Sequence, residues 1–411
     1  MRHALLVIVS LLFSSQMVLA QFTQQAKLVG TAINDPVTER THCLNFRWNC
    51  GAAQQGLSVA LSSDGNTAIV GGGLDDSGAG AAWVFTRSGG VWTQQSTLIG
   101  PGAVGATNAA NIGTSVALSS DGNTAIVGGG LDNSGAGAAW VFTRSGGVWT
   151  QQSTLIGTGA VGAAHQGTAV ALSSDGNTAM VGGPLDNSGA GAVWVFTRSG
   201  GVWTQQSKLV GTGAVGAARQ GSSVALSSDG NTAMVGGPLF AGAAWVFTRS
   251  GGVWTQQSTL VGTGAVGPSR QGSSVALSSD GNTAIVGGPF DNSITGAAWV
   301  FTRSGGVWTQ QSKLVGTAVR AAQQGLSLAL SSDGNTAVVG GPLDNSGAGA
   351  AWVFTRSGSV WTQQSKLVGT SAVGVASQGT SVALSSDGNT AIMGGPDDNS
   401  VSGAAWVFVK E

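Results

Sequence analysis

Short runs of β-branched, aromatic and small apolar residues recur along almost the whole chain, each bounded by glycine, aspartate, asparagine or proline. The repeating unit reads "SSVALSS", "NTAMVGG", "GAAWVFTR" and "VWTQQSKLVG", with small changes between copies. Runs of this length and make-up are strands, because such side chains suit a pleated, partly buried surface. No stretch keeps a helical period long enough to compete. Asp-Gly-Asn between the first two runs and Arg-Ser-Gly-Gly between the last two supply positive φ for tight hairpins. The pattern predicts four antiparallel strands per unit, joined as a meander.

The octet "LSSDGNTA" begins at Leu61, Leu118, Leu172, Leu226, Leu277, Leu330 and Leu384, so the unit repeats every 51 to 57 residues. Four strands at that period make a propeller blade, whereas most other repeats of similar length are helical. The fold class expected is all-β: a seven-bladed β-propeller of four-stranded antiparallel blades. The seventh copy stops at "GAAWVFVKE", without a fourth strand. Its missing strand stands at the other end of the chain, where "QFTQQAKLVG" (21–30) matches "VWTQQSKLVG" with Phe22 in the Trp position. An N-terminal strand completing the last blade closes the ring and hides two edges that would otherwise invite aggregation. Residues 31–53 then form an insertion ahead of blade 1.

Composition changes this picture only at the start of the chain. Residues 1–20 combine a basic start at Arg2, an apolar run from Ala4 to Phe13 and a small-residue cleavage site at Val18-Leu19-Ala20, the pattern of a secretory signal peptide. The expected localisation is extracellular or periplasmic. No later segment approaches a membrane span. Loss of Arg2 with the leader leaves 16 of the 17 basic residues against 18 acidic ones, which argues against nucleic acid or an anionic membrane as partner. In an exported chain, Cys43 and Cys50 read as a local disulfide; His42 beside them adds at most a third ligand to a rival metal site.

The unit "QGSSVALSSDGNTAMVGGP…GAAWVFTRSGGVWTQQSKLVG" resembles the FG-GAP repeat, the blade of integrin-α-type propellers and of many secreted bacterial proteins. The resemblance covers residues 21–411 and implies an extracellular propeller that presents loops to partners, for binding or cell adhesion. This chain has Gln-Gly where that family has Phe-Gly, and Ala-Ala-Trp where it has Gly-x-Tyr. Integrin-type repeats also carry an Asp-rich calcium loop in the first hairpin. Here each loop has one carboxylate, and calcium takes six to eight oxygens, so Asp64, Asp121, Asp175, Asp229, Asp280, Asp333 and Asp387 read as turn formers, with calcium the alternative. No cofactor and no metal ligand set is expected.

Other repeated residues read first as structure. Arg87 and its equivalents share the hairpin face with the aspartates, and exposed pairing between them would contribute about 0–1 kcal/mol each. Two tryptophans per blade, such as Trp83 and Trp92, read as packing between blades, with sugar stacking the alternative. The chain shows no nucleophile with a base at recognisable spacing, and the repeated Ser-Ser before Asp-Gly is a turn rather than a strained nucleophile elbow. An enzyme is not expected.

Where the copies differ, they differ in two connectors: the one entering each blade and the one between its second and third strands. Both lie opposite the hairpins. Two residues before the glycine that opens each first strand stand Gln54, Asn111, His165, Arg219, Arg270, Gln323 and Ser377. These are expected to ring the mouth of the central channel, with His165, Arg219 and Arg270 as a cationic arc suited to a carboxylate or sulfate. Acidic connectors (Asp75, Asp76, Asp132, Asp186, Asp291, Asp344, Asp397 and Asp398) are expected around them. Blade 4 lacks its member and offers Phe240 as an exposed apolar anchor. The function expected is a secreted, non-catalytic binding or adhesion module that meets an extracellular protein or other ligand through this connector face. The alternative is a carbohydrate-binding propeller that uses the tryptophans.

Overall fold

A computed structural model describes residues 21–31, 53–101 and 110–411. The signal segment, His42, the Cys43–Cys50 pair and most of the insertion fall outside these residues. Seven four-stranded antiparallel sheets form the blades of a propeller, and the first strands of successive blades contact one another around the ring. In blade 1 the order from the axis outward is Ser58–Leu61, Thr67–Gly72, Ala81–Ser88 and Val91–Leu98. In blade 7, Ser381–Leu384, Thr390–Gly395 and Ala404–Lys410 are completed by Phe22–Leu28, paired antiparallel to the last of them. The N-terminal strand therefore closes the ring as its sequence predicts.

The second and third strands are apolar almost without interruption because both of their faces are buried. Successive side chains on a strand point to opposite faces. In blade 3, Ala179, Val181, Trp194 and Phe196 join the core shared with blade 2, while Met180, Val193 and Val195 join the core shared with blade 4. The core is thus a series of layers between blades. Trp83, Trp140, Trp194, Trp245, Trp299, Trp352 and Trp406 are the largest side chains in it, each no more than 2% exposed. Near the axis the sheets approach until backbone meets backbone: a Cβ on Gly182 would overlap the carbonyl of Gly221 in the next blade.

The axis itself is tied by main-chain bonds. Ser63 N–H donates to the carbonyl of Ser120, Ser120 to Ser174, Ser174 to Ser228, Ser228 to Ser279, Ser279 to Ser332, Ser332 to Ser386 and Ser386 back to Ser63, at 2.9–3.1 Å. This closed ring satisfies seven inward-facing donors with no strand partner of their own. It encircles a cavity of about 110 Å³ lined by Leu61, Leu118, Leu172, Leu226, Leu384 and neighbouring serines.

At the rim each outer strand carries a β-bulge, and at six of the seven seams the bulged residue joins the blades. The pairing slips by one residue at the second glutamine of "TQQS" or its "TQQA" equivalent, at Gln25, Gln95, Gln152, Gln206, Gln257, Gln311 and Gln364. A bulge re-aims its extra side chain. Here it points the amide at the next blade: Gln152 Oε1 accepts from Arg198 Nη1 at 3.0 Å and from Trp203 Nε1 at 3.0 Å. Gln25 does the same for Arg87 and Trp92, so the ring-closing seam carries the clip too. The seam between blades 6 and 7 lacks it, because Lys410 and Phe22 replace Arg and Trp, and Gln364 bonds Thr362 instead.

Blade 2 contains a local defect with a readable cause. In six blades a threonine after the outer strand gives its N–H to the first glutamine of "TQQS" and its carbonyl to the core tryptophan; Thr158 bonds Gln205 and Trp194 in this way. Blade 2 has Pro101, which has no N–H, and both Gln151 Oε1 and the Trp140 indole N–H are buried without a partner. Pro101→Thr should therefore stabilise the protein by about 1 kcal/mol through recovered hydrogen bonds. Urea denaturation checks this, and an unchanged or lower midpoint would contradict it.

Candidate binding face

The hairpin face repeats with little variation, and its polar groups are engaged with one another. In each first hairpin the aspartate bonds within its own turn: Asp64 Oδ1 accepts from Ser62 Oγ at 2.5 Å and Asn66 N–H at 2.9 Å, and Oδ2 accepts from Asn66 Nδ2 at 3.0 Å. The aspartates are turn formers, as expected. Among the described residues no group of three or more His, Cys, Asp or Glu could hold a metal. The arginines correct the sequence reading, since they bond to asparagine rather than aspartate. Arg87 Nε donates to Asn66 Oδ1 at 2.9 Å, and its guanidinium lies 5.4 Å from the Trp92 ring centroid.

These turns make stability sensitive to acid. Partial burial works to raise the pKa of Asp64, but the hydrogen bonds from Ser62 and Asn66 outweigh it and hold the carboxyl below its ordinary value. The same holds at Asp121, Asp175, Asp229, Asp280, Asp333 and Asp387. A folded pKa below the unfolded one contributes stability that is present above the unfolded value, about 4, and is lost as pH falls through the folded value. The denaturation midpoint should fall only through His165, whose neutral form the fold favours, between about pH 7 and 5, and drop progressively below about 4 as the seven aspartates protonate. A midpoint unchanged between about pH 4 and 2 would show that the turns do not favour the carboxylate.

The connector face is built differently. After the second strand the chain makes a left-handed turn through Asp-Asn-Ser, with φ of 47° and 58° at Asn187 and Ser188. Asparagine is among the few residues that adopt this conformation readily. The turn drives the aspartate inward. Asp186 is 2% exposed; its Oδ2 lies 2.7 Å from Lys208 Nζ and its Oδ1 accepts from the Val161 N–H at 2.7 Å. Lys208 Nζ also donates to Gly159 O at 2.6 Å and lies 5.1 Å from the Trp194 ring centroid. Equivalent latches join Asp291 to Lys313, Asp344 to Lys366 and Asp398 to Lys27.

The expected acidic rim is therefore corrected. Asp75, Asp132, Asp186, Asp291, Asp344 and Asp398 are buried, and in the last five the left-handed turn aims the carboxylate into the blade. Asp397 is half-buried and accepts from Ser377 Oγ at 2.6 Å. The seven variable residues sit at the seams between blades. All have φ of 52–56°, and main-chain N–H groups of six donate to the connector of the preceding blade, as His165 does to Gly135 O at 2.8 Å. Gln54, Asn111, His165, Gln323 and Ser377 are half-buried; Arg219 and Arg270 are exposed. Burial lowers the pKa of His165, favouring its neutral form. On blades 3–6 the exposed charges of this face, among the described residues, are Arg219, Arg270 and Arg320.

Arg320 escaped sequence reasoning because it stands in the entry loop itself, three residues ahead of the aligned position. Blade 4 is the exception among the connectors. It has no aspartate, and Thr259 stands where the latched blades have lysine. Phe240 takes the left-handed position at φ 58° and is 71% exposed, and Val215 is 86% exposed where Val161, Val266, Val319 and Val373 are 51–57%. Among the described residues the tryptophans place no open aromatic platform here: the inner set is buried, and the outer six carry an arginine over the ring.

No protein-family model and no curated protein matches this chain. What is shown is the architecture, a seven-bladed β-propeller of four-stranded blades.

Proposed function

We propose that this chain is a secreted, non-catalytic binding or adhesion module of the FG-GAP, integrin-α-like type, which meets an extracellular protein partner through its connector face. The observation that carries the reading is the contrast between the two faces. The hairpin face repeats and its polar groups are bonded to one another, whereas the connector face holds the differences between blades and, on blades 4–6, three exposed arginines beside Phe240 and Val215. Clustered cations with an exposed aromatic anchor suit recognition of a partner better than they suit catalysis. The FG-GAP assignment rests on the repeat sequence and the blade count together, and the secreted location on residues 1–20.

A photo-crosslinking side chain at Phe240, compared with one at Gly200 on the hairpin face, tests the reading in the extracellular fluid or on the surface of the producing cells. Cross-links to a defined protein from position 240 but not 200 are expected. Equal cross-linking at both, or cross-linking from 200 alone, would overturn it.

A further inference from the structure

The absent latch of blade 4 leaves a place shaped for a carboxylate. In blades 3, 5, 6 and 7 a buried connector aspartate accepts the N–H of the entry-loop valine, at 2.6–2.7 Å, and faces a lysine. The loop valine also accepts from the connector, as Val161 O does from Asn187 N–H at 2.9 Å. Blade 4 has neither group, because its connector runs from Leu239 through Phe240 and Ala241 to Gly242. The gap reaches into the blade: Ala243 is half-buried, whereas Ala81, Ala138, Ala192, Ala297, Ala350 and Ala404 at the same position are fully buried.

The surroundings of this notch are cationic and apolar. Val215 lies four residues before Arg219 in the loop that enters blade 4. On the other side, Ala241 O accepts from Gln271 N–H at 2.9 Å, so Phe240 runs beside Arg270 at the start of blade 5. Arg270 is held by its stacking on Phe290, 4.0 Å from guanidinium carbon to ring centroid. With Lys208, Lys313 and Lys366 neutralised by their aspartates, no exposed acid stands with the arginines on the connector face of blades 3–6 among the described residues.

The geometry points to a docking notch on blade 4 for an extended acidic segment of a partner protein: an Asp or Glu carboxylate takes the place of the missing aspartate, on the Val215 N–H between Arg219 and Arg270. An adjacent apolar side chain packs on Phe240. This rests on the connector-face reading and names the chemistry of the partner. Arginine suits the site because its guanidinium pairs with carboxylates in two-pronged geometry, and the extended backbone of the segment meets Val215, which lacks the aspartate and asparagine that Val161 bonds in blade 3.

The test uses the full chain and a displayed random nonapeptide library. Selection should enrich peptides with Asp or Glu next to an aliphatic or aromatic residue, and changing that acid to its amide should weaken binding at least about tenfold. A second variant rebuilds the latch, replacing Phe240 with the Asp-Asn-Ser-Gly sequence found at 186–189 and adding Thr259→Lys. It fills the notch with the protein's own aspartate, so it should fold at least as well as the parent and lose the peptides at least about tenfold. Arg219→Gln with Arg270→Gln should lose them as well. Enrichment of peptides without acids, no enrichment, or undiminished binding by the folded latch variant would overturn the notch. A photo-crosslinking side chain at the exposed Val215 that still captures the partner in the latch variant would leave the connector-face reading standing while removing this one.

Discussion

Gly182→Ala should destabilise the protein by about 4 kcal/mol or prevent folding, whereas Gly200→Ala in the same blade should cost about 1 kcal/mol. The two glycines do different work. Gly182 has ordinary backbone angles, but its added Cβ would overlap the Gly221 carbonyl, which belongs to a neighbouring main chain and cannot rotate away. Relief would require two blades to separate, with loss of packing along the whole seam. Gly200 has φ of 56°, and nothing stands within 4 Å of an added Cβ, so only the left-handed backbone is penalised. Chemical denaturation of both variants checks the contrast. Similar losses would mean that backbone conformation, not the approach of the blades, governs where glycine is needed.

Lys208→Met should cost about 3 kcal/mol, because it leaves Asp186 buried without its cationic partner. The side chain of Asp186 is 3% exposed and that of Lys208 23%, so the carboxylate is the desolvated member and the lysine reaches it from the rim. Breaking a buried pair is more damaging than removing it. Lys208→Met combined with Asp186→Asn should therefore lose less than the sum of the two single changes, and the double-mutant cycle measures the difference. A loss under about 0.5 kcal/mol for Lys208→Met would show that the latch is too well solvated to matter. Blade 4 already illustrates the joint absence: aspartate and lysine are both missing, and the blade still forms its four strands.

The legible part of the fold came from periodicity at two scales. Alternating strands and turns predicted the blade, and seven octets with a displaced "QFTQQAKLVG" predicted the closed ring; both are found. Local chemistry was also readable where it stays local, as in the Asp64 turn, whose partners lie within two residues. Reading failed where a residue's role depends on the direction of its side chain. Asp186 looks like a solvent-facing connector acid, but a left-handed turn at Asn187 and Ser188 points it inward to a lysine 22 positions away. Arg87 stands near Asp64 on the same face, yet the register of strands and the bulge at Gln25 deliver it to Asn66 and Gln25.

The candidate site divides in the same way. Arg219, Arg270 and Phe240 were visible as departures from a repeat, since near-identity elsewhere makes any difference stand out. Their isolation as exposed groups was not visible, because it depends on which neighbouring charges are buried. By itself the sequence determined the number of blades, the four-stranded unit, the closing strand and the face on which the copies diverge, because each follows from short-range pattern and repetition. The tertiary structure alone decided which charges reach solvent, which glycines stand at the seams and that four connector aspartates are latched inward to lysines. Those properties arise only where side chains from segments distant in sequence are brought within bonding distance and water is excluded from between them.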